Sequence, residues 1–310
     1  MEILKVRNIK KYYKIKKNFY KKIIKAVDDV SFSVKEKSIF GIAGESGSGK
    51  TTLAKLISML ILPDSGDIYF KEKNLTKLEN KKLRLIRKDL QIVFQDPFNS
   101  LDPRFNVFKI ITEGLDNFFK YNFKEKLEIS KKILKDVGMP TDILFFYPHQ
   151  FSGGERQRIS IARSLVIRPK LLILDEPISS LDVSIQAQII NLLLDLHKKF
   201  GLTYIFISHD LNILRYICDE IAIMYLGKIV EVSKGEEIFK NPLHPYTRLL
   251  ISSIPSLDKK MDINEFEFDN QKGECVFFNR CSFRKDICKN NPPQLIEISS
   301  GHFVSCFLVS

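Results

Sequence analysis

Gly44-Glu45-Ser46-Gly47-Ser48-Gly49-Lys50-Thr51 fits the pattern G-x-x-x-x-G-K-[ST] at every fixed position. An apolar run, Ser38-Ile39-Phe40-Gly41-Ile42-Ala43, precedes it, and apolar residues at helical spacing follow from Thr52 to Leu60. Strand, glycine loop and helix in that order make a phosphate cradle: glycines let backbone N–H groups turn inward, and the helix start adds partial positive charge. Lys50 is then placed for the β- and γ-phosphates and the Thr51 hydroxyl for Mg²⁺. A Gly/Ser-rich turn ahead of a helix is the plain alternative, and the flanking pattern outweighs it. The stretch predicts a nucleoside triphosphate site made of Gly44, Glu45, Ser46, Gly47, Ser48, Gly49, Lys50, Thr51 and Thr52.

The chain has 310 residues, 44% hydrophobic and 28% charged, enough for one large domain with an appendage or for two domains. No run nears 18 uninterrupted apolar residues, and the first residues show no secretory signal pattern, so a cytoplasmic location is expected. Net charge is +12, and residues 1–25 carry ten Lys or Arg against the single acid Glu2, a local +9. Lysine runs recur along the whole chain, so Lys14–Lys25 reads as a solvated basic loop rather than a patch that steers ATP, touches anionic lipid or binds nucleic acid. Strands are expected at Ile3–Ile9, Ala26–Val34 and Asp67–Phe70, with a charged helix at Thr76–Lys88 and a short buried strand at Leu90–Phe94. Residues 96–168 read as a mostly helical insert, with helices at Val107–Phe119 and Lys124–Val137. Strands and helices then alternate from Leu171 to Tyr225 as α/β units do.

Two further motifs narrow the chemistry. Leu171-Leu172-Ile173-Leu174-Asp175-Glu176 is an apolar strand ending in two acids. Asp175 can hold Mg²⁺ through its waters, and Glu176 can polarise the attacking water. Ser152-Gly153-Gly154-Glu155 opens a helix expected from Glu155 to Arg168, a second N-terminus suited to phosphate but with no P-loop of its own. It could cap the γ-phosphate of a nucleotide held by a neighbouring subunit.

With these motifs in that order, residues 1–240 resemble the ATP-binding cassette proteins, with Glu155 where the family signature more often has Gln. The resemblance implies an α/β P-loop cassette fold: a RecA-like core, an antiparallel β subdomain and a helical subdomain near 96–168. It makes Tyr13 the residue stacking on adenine and Gln95 the link between metal site and helical subdomain. His209 becomes the switch histidine at the γ-phosphate, and Ser180-Leu181-Asp182 the loop touching the opposite subunit. Glu176, His209 and Gln95 are thus the expected catalytic residues. Tyr13, the P-loop, Asp175 and Ser152–Glu155 are expected to bind ATP, and Thr51, Gln95 and Asp175 to bind Mg²⁺.

Gln95–Arg104, Asp182–Gln188 and Asn241–Arg248, with a cysteine-bearing tail at 241–310, look like the ATPase subunits of bacterial oligopeptide/dipeptide importers. Nickel importers are close relatives, and the match leans to the second of the two ATPase partners. That resemblance implies a head-to-tail ATPase dimer on the cytoplasmic face of the membrane, two permease subunits and an extracytoplasmic solute-binding protein. Soluble cassette ATPases that act on ribosomes or DNA generally carry two cassettes or a long coiled coil, and neither pattern is present, so no nucleic-acid partner is expected.

Four of the five cysteines, Cys275, Cys281, Cys288 and Cys306, lie in the last 36 residues. Their C-x5-C-x6-C-x17-C spacing matches neither zinc ribbons nor ferredoxins, which leaves partly buried thiols open. A tail with few strand signals and Pro292-Pro293 suggests instead a segment that needs a metal tie in place of its own core. In some peptide-importer ATPases the tail holds a [4Fe–4S] cluster, so iron–sulfur, zinc and free thiols are the three readings, with His302 a weaker fifth ligand candidate. Cys218 reads as core.

Overall fold

The computed structural model describes residues 1–17, 20–96, 100–254 and 274–309. They fall into two units, one of residues 1, 35–38 and 77–207, the other of 2–34, 39–76 and 208–310.

In the second unit, the strand Ile39–Ala43 is buried at all five positions and runs parallel to Glu220–Tyr225. Ile221 to Met224 are fully buried, as a strand covered on both faces requires. Antiparallel neighbours extend this sheet through Lys228–Lys234 and His302–Val304 to Ile296–Ser299. A Cβ on Gly41 would sit 2.8 Å from the Cys218 sulfur, so Cys218 is the core residue expected. A separate antiparallel sheet orders Tyr20–Lys35, Glu2–Lys17, Ser65–Phe70 and Lys73–Asn74. Its register pairs Leu4 with Phe70 and Val6 with Ile68, placing all four on one buried face.

Two expectations are corrected here. Lys14–Lys25 is no loop: the first strand runs to Lys17 and the second begins at Tyr20, with 18–19 outside the described residues. Lysine at most positions masks the alternation, and exposed Ile15, Ile23 and Ile24 belong to a charged ribbon that resists edge pairing. Nor does the tail lack a core. Val304 is fully buried and pairs with Glu231, so the tail shares the sheet of the preceding strands.

The first unit holds the parallel strands Leu90–Val93, Leu171–Asp175 and Thr203–Ser208, the last as far as 207. Leu171 to Leu174 are inaccessible to solvent. The helices Val107–Phe118, Phe123–Asp136 and Gly153–Leu165 form the helical part, burying Ile111, Leu115, Leu134, Ile159 and Ala162. Asn122 and Glu125 close the second of these with a reciprocal capping box. The long helix Val183–Phe200 stops at Gly201, whose φ of 60° is the left-handed C-terminal turn. Among the described residues no helix is long and apolar enough to cross a membrane.

Candidate active site

The P-loop lies in the second unit. Gly44 and Gly49 have φ of 151° and 105°, and a Cβ would fall 2.1 Å from the Met224 carbonyl oxygen and 2.0 Å from that of Ala26. Only glycine fits where the loop passes so close to other backbone. The helix Lys50–Ile57 starts directly after it with no side chain capping its first turn, which leaves that end suited to an anion. The Lys50 side chain is buried, and its ammonium donates to the Gly44 carbonyl at 2.7 Å and the Glu45 carbonyl at 2.9 Å. Phosphate oxygens entering the loop would exchange with those carbonyls for the same donors. Thr51 is exposed and Thr52 half-buried at the start of the helix.

Glu45 is gripped from the C-terminal part of the same unit. Its N–H donates to the buried Tyr246 hydroxyl at 3.0 Å, and its carboxylate receives both Arg280 terminal nitrogens at 2.8 and 3.0 Å. The Glu45 carboxylate, burial notwithstanding, holds the Arg280 guanidinium above its ordinary pKa. Tyr246, Tyr225 and Phe277 form one aromatic cluster with centroids 4.4 to 5.5 Å apart. Nothing local in the sequence marks this contact, whose partners are 235 residues apart.

Tyr13 stands 40% exposed, while neighbouring Tyr12 turns inward to hydrogen-bond Asp28. His209 is exposed just beyond the strand Thr203–Ser208, where Ser208 Oγ accepts from the Asp210 N–H at 3.0 Å.

In the first unit, buried Asp175 ends its strand, and Glu176 N–H extends the ladder to the Ile207 carbonyl at 3.0 Å. Glu176 then adopts φ 46°, a left-handed conformation costly for a non-glycine residue and concentrated at functional sites. Gln95, exposed, donates its side-chain N–H to Glu176 Oε2 at 3.3 Å. The structure thus brings Gln95 and Glu176 together. Gln186 donates to the Ile178 and Leu181 carbonyls at 3.2 and 2.9 Å, bracing the Ser180-Leu181-Asp182 loop beside the exposed Val183.

Ser152 and Glu155 also meet. The helix begins at Gly153, two residues before the expected start, because Ser152 is its N-cap and Glu155 closes a capping box. Glu155 Oε2 accepts from Ser152 N–H at 2.9 Å and Ser152 O–H at 2.8 Å. The helix end therefore carries its own carboxylate. At Gly154 a Cβ would lie 2.6 Å from Ile185 Cγ2, so that side chain would have to shift to admit one.

Cys275, Cys281, Cys288 and Cys306 line a single cavity, walled also by Phe277, Phe278, Phe283 and Pro293. Burial pushes the Cys275 thiol up to about 11, and it raises those of Cys281 and Cys306. Such thiols keep their protons until a cation displaces them. Among the described residues, no three His, Cys, Asp or Glu side chains converge on a point that could hold one metal ion. His302 is not among the residues lining that cavity; it is buried with Nε2 2.7 Å from Glu231 Oε1.

A family model described as ABC transporter matches residues 27–179, and one described as oligopeptide/dipeptide transporter, C-terminal region, matches 230–288. The chain is 45% identical to the oligopeptide transport ATP-binding protein AppF of Bacillus subtilis, covering 99% of this chain and 98% of that protein. It is 39% identical to the dipeptide transport ATP-binding protein DppF of Haemophilus influenzae, covering 98% and 96%. Among solved structures it resembles a dimeric ATP-binding cassette in a post-hydrolysis state bound to ADP and Pi. That match has TM-score 0.68 and 28% identity over 75% of this chain and 99% of the other. A nucleotide-free cassette from an ABC transporter aligns with TM-score 0.66 and 29% identity over 81% and 98%.

Proposed function

The chain belongs to the ABC transporter ATP-binding proteins, and from that premise we propose that it hydrolyses ATP to energise import of peptides across the cytoplasmic membrane. The observation that carries the peptide assignment is the pairing, in one chain, of a cassette with the oligopeptide/dipeptide type of C-terminal region.

In this reading the cassette is residues 1–240 and the extension 241–310. Tyr13 stacks on adenine. The backbone of Gly44–Thr51, with Thr52, binds the phosphates, and Lys50 trades its carbonyl partners for them. Glu176, turned out of its strand and touched by Gln95, accepts the proton of the attacking water. His209 orients the γ-phosphate. Thr51, Gln95 and Asp175 offer hydroxyl, amide and carboxylate oxygens, a donor set suited to Mg²⁺, which would neutralise charge on the phosphates. Ser152, Gly153, Gly154 and Glu155 cap the nucleotide of a second ATPase subunit, so two chains complete each other's sites. Two permease subunits and a solute-binding protein complete the transporter, and the protein works as a peripheral subunit on the cytoplasmic face.

The cavity lined by Cys275, Cys281, Cys288 and Cys306 is what supports reading a metal group in the extension, a [4Fe–4S] cluster first and zinc second. Four thiols line that one space, and thiolates are the ligands both groups take. Such a cluster would tie the extension together as a structural element.

The test is purification from detergent-solubilised membranes followed by ATPase assay with permeases and peptide-loaded binding protein. Peptide-stimulated hydrolysis in a membrane complex is the expected result. Recovery with ribosomal RNA and without permeases would overturn the assignment.

A further inference from the structure

The P-loop of this chain contains a carboxylate, Glu45, at a site meant for a polyanion. Left alone, that charge would oppose phosphate binding. It is not left alone. Arg280, from the extension, meets it with two parallel N–H···O bonds of 2.8 and 3.0 Å. Its guanidinium is set over the Tyr225 and Phe277 rings at 5.7 and 5.8 Å, and its side chain is only 13% exposed. Tyr246, also from the extension and fully buried, fixes the backbone of the same residue by accepting its N–H. The extension therefore contacts both the carboxylate and the backbone N–H of the P-loop at Glu45.

We propose that Arg280 and Tyr246 are positioning residues for the nucleotide, and that Arg280 sets ATP affinity by neutralising Glu45. This rests on reading the P-loop as the triphosphate site. The bidentate fork matters, because a point charge could not hold a planar carboxylate in one orientation.

The experiment measures Mg·ATP binding to the full chain by titration calorimetry, with thermal melts confirming that each variant is folded. Arg280→Met should weaken binding roughly tenfold, since it leaves the carboxylate uncompensated beside the phosphates. Glu45→Gln alone should bind at least as tightly as wild type. The double variant Glu45→Gln/Arg280→Met should return to within about threefold of wild type, because no uncompensated charge remains. In the assembled transporter Arg280→Met should raise KM with kcat held. Wild-type affinity in Arg280→Met would overturn the proposal, as would a double variant as weak as Arg280→Met, which would mean Arg280 acts by packing. Should Arg280→Met melt below the assay temperature, Arg280→Lys is read instead. It keeps the charge and loses the fork, so a loss of about threefold is expected, and no loss would overturn the role of the fork. Lys50→Ala separates the two readings. It should abolish binding, and full binding in that variant would sink the P-loop assignment itself.

Discussion

Replacing Glu176 with Gln should remove hydrolysis and leave the fold untouched, and the geometry says by how much. The backbone at 176 has φ 46°, which costs about 1 kcal/mol for any residue with a Cβ, so Glu and Gln bear the same penalty. The Gln95 contact is a 3.3 Å bond at an exposed amide, and a glutamine carbonyl oxygen still accepts it. The change in folding stability should therefore stay within about 0.5 kcal/mol. Turnover should fall about 10²-fold or more, equal to about 2.7 kcal/mol of barrier, because an amide cannot take the proton of water. Glu176→Gly supplies the control. It relieves the backbone strain, so it should be as stable as wild type or up to about 1 kcal/mol more stable, and equally inactive. The assay is phosphate release from the assembled transporter beside denaturant unfolding and ATP binding of the same preparations. Wild-type turnover in Glu176→Gln would refute the assignment of the base. A loss of activity that tracked a loss of stability across the two variants would refute the argument from geometry.

Ser152→Arg breaks the cap that joins Ser152 to Glu155, at a cost of about 1 kcal/mol, and should cripple hydrolysis while ATP binding at Lys50 persists. Loss of that binding, measured on the isolated chain, would contradict the head-to-tail arrangement. Burial, with Arg248 adding, depresses the His244 pKa from 6.5 to about 3, so the folded protein stays neutral there while the unfolded chain takes up a proton. That stability is present above pH 6.5 and drains as pH falls toward 3, by up to about 1.4 kcal/mol per pH unit. His244→Asn, which retains a side-chain acceptor for the Tyr246 N–H, should flatten the dependence between pH 6.5 and 5 in denaturant titrations; equal slopes would count against the buried neutral imidazole. Anaerobically purified protein should be brown and contain iron, and Cys281→Ser should lose both; colourless, iron-free wild-type protein would end the cluster reading.

What was legible in the sequence is what depends on neighbours in the chain. Ser38–Leu60 announces strand, loop and helix because each step has its own local pattern, and Leu171–Leu174 announces a strand covered on both faces. The strands at Thr203–Ser208 and Glu220–Tyr225 fall where the alternation places them. The charged ribbon was hidden because lysine on both faces erases period two, and only pairing across the sheet makes Lys14–Lys17 a strand. The cysteines were legible as a group and illegible as a site. Cys306 joins the other three only because His302–Val304 pairs with the strand Lys228–Lys234, a long-range register that spacing does not encode.

Glu45 is the sharpest case. In the motif it occupies a position where any residue is allowed, and a motif reader passes over it. In the fold it is the residue on which the C-terminal extension closes, through one backbone and two side-chain hydrogen bonds. An acid at a freely variable position of a phosphate loop presents a like charge to the ligand, and a paired cation offsets that charge. The compensating cation could come from anywhere in the chain, and here it comes from Arg280. The extension is therefore more than an appendage to the cassette: the acid inside the P-loop and the arginine outside it form one unit, and neither is intelligible without the other.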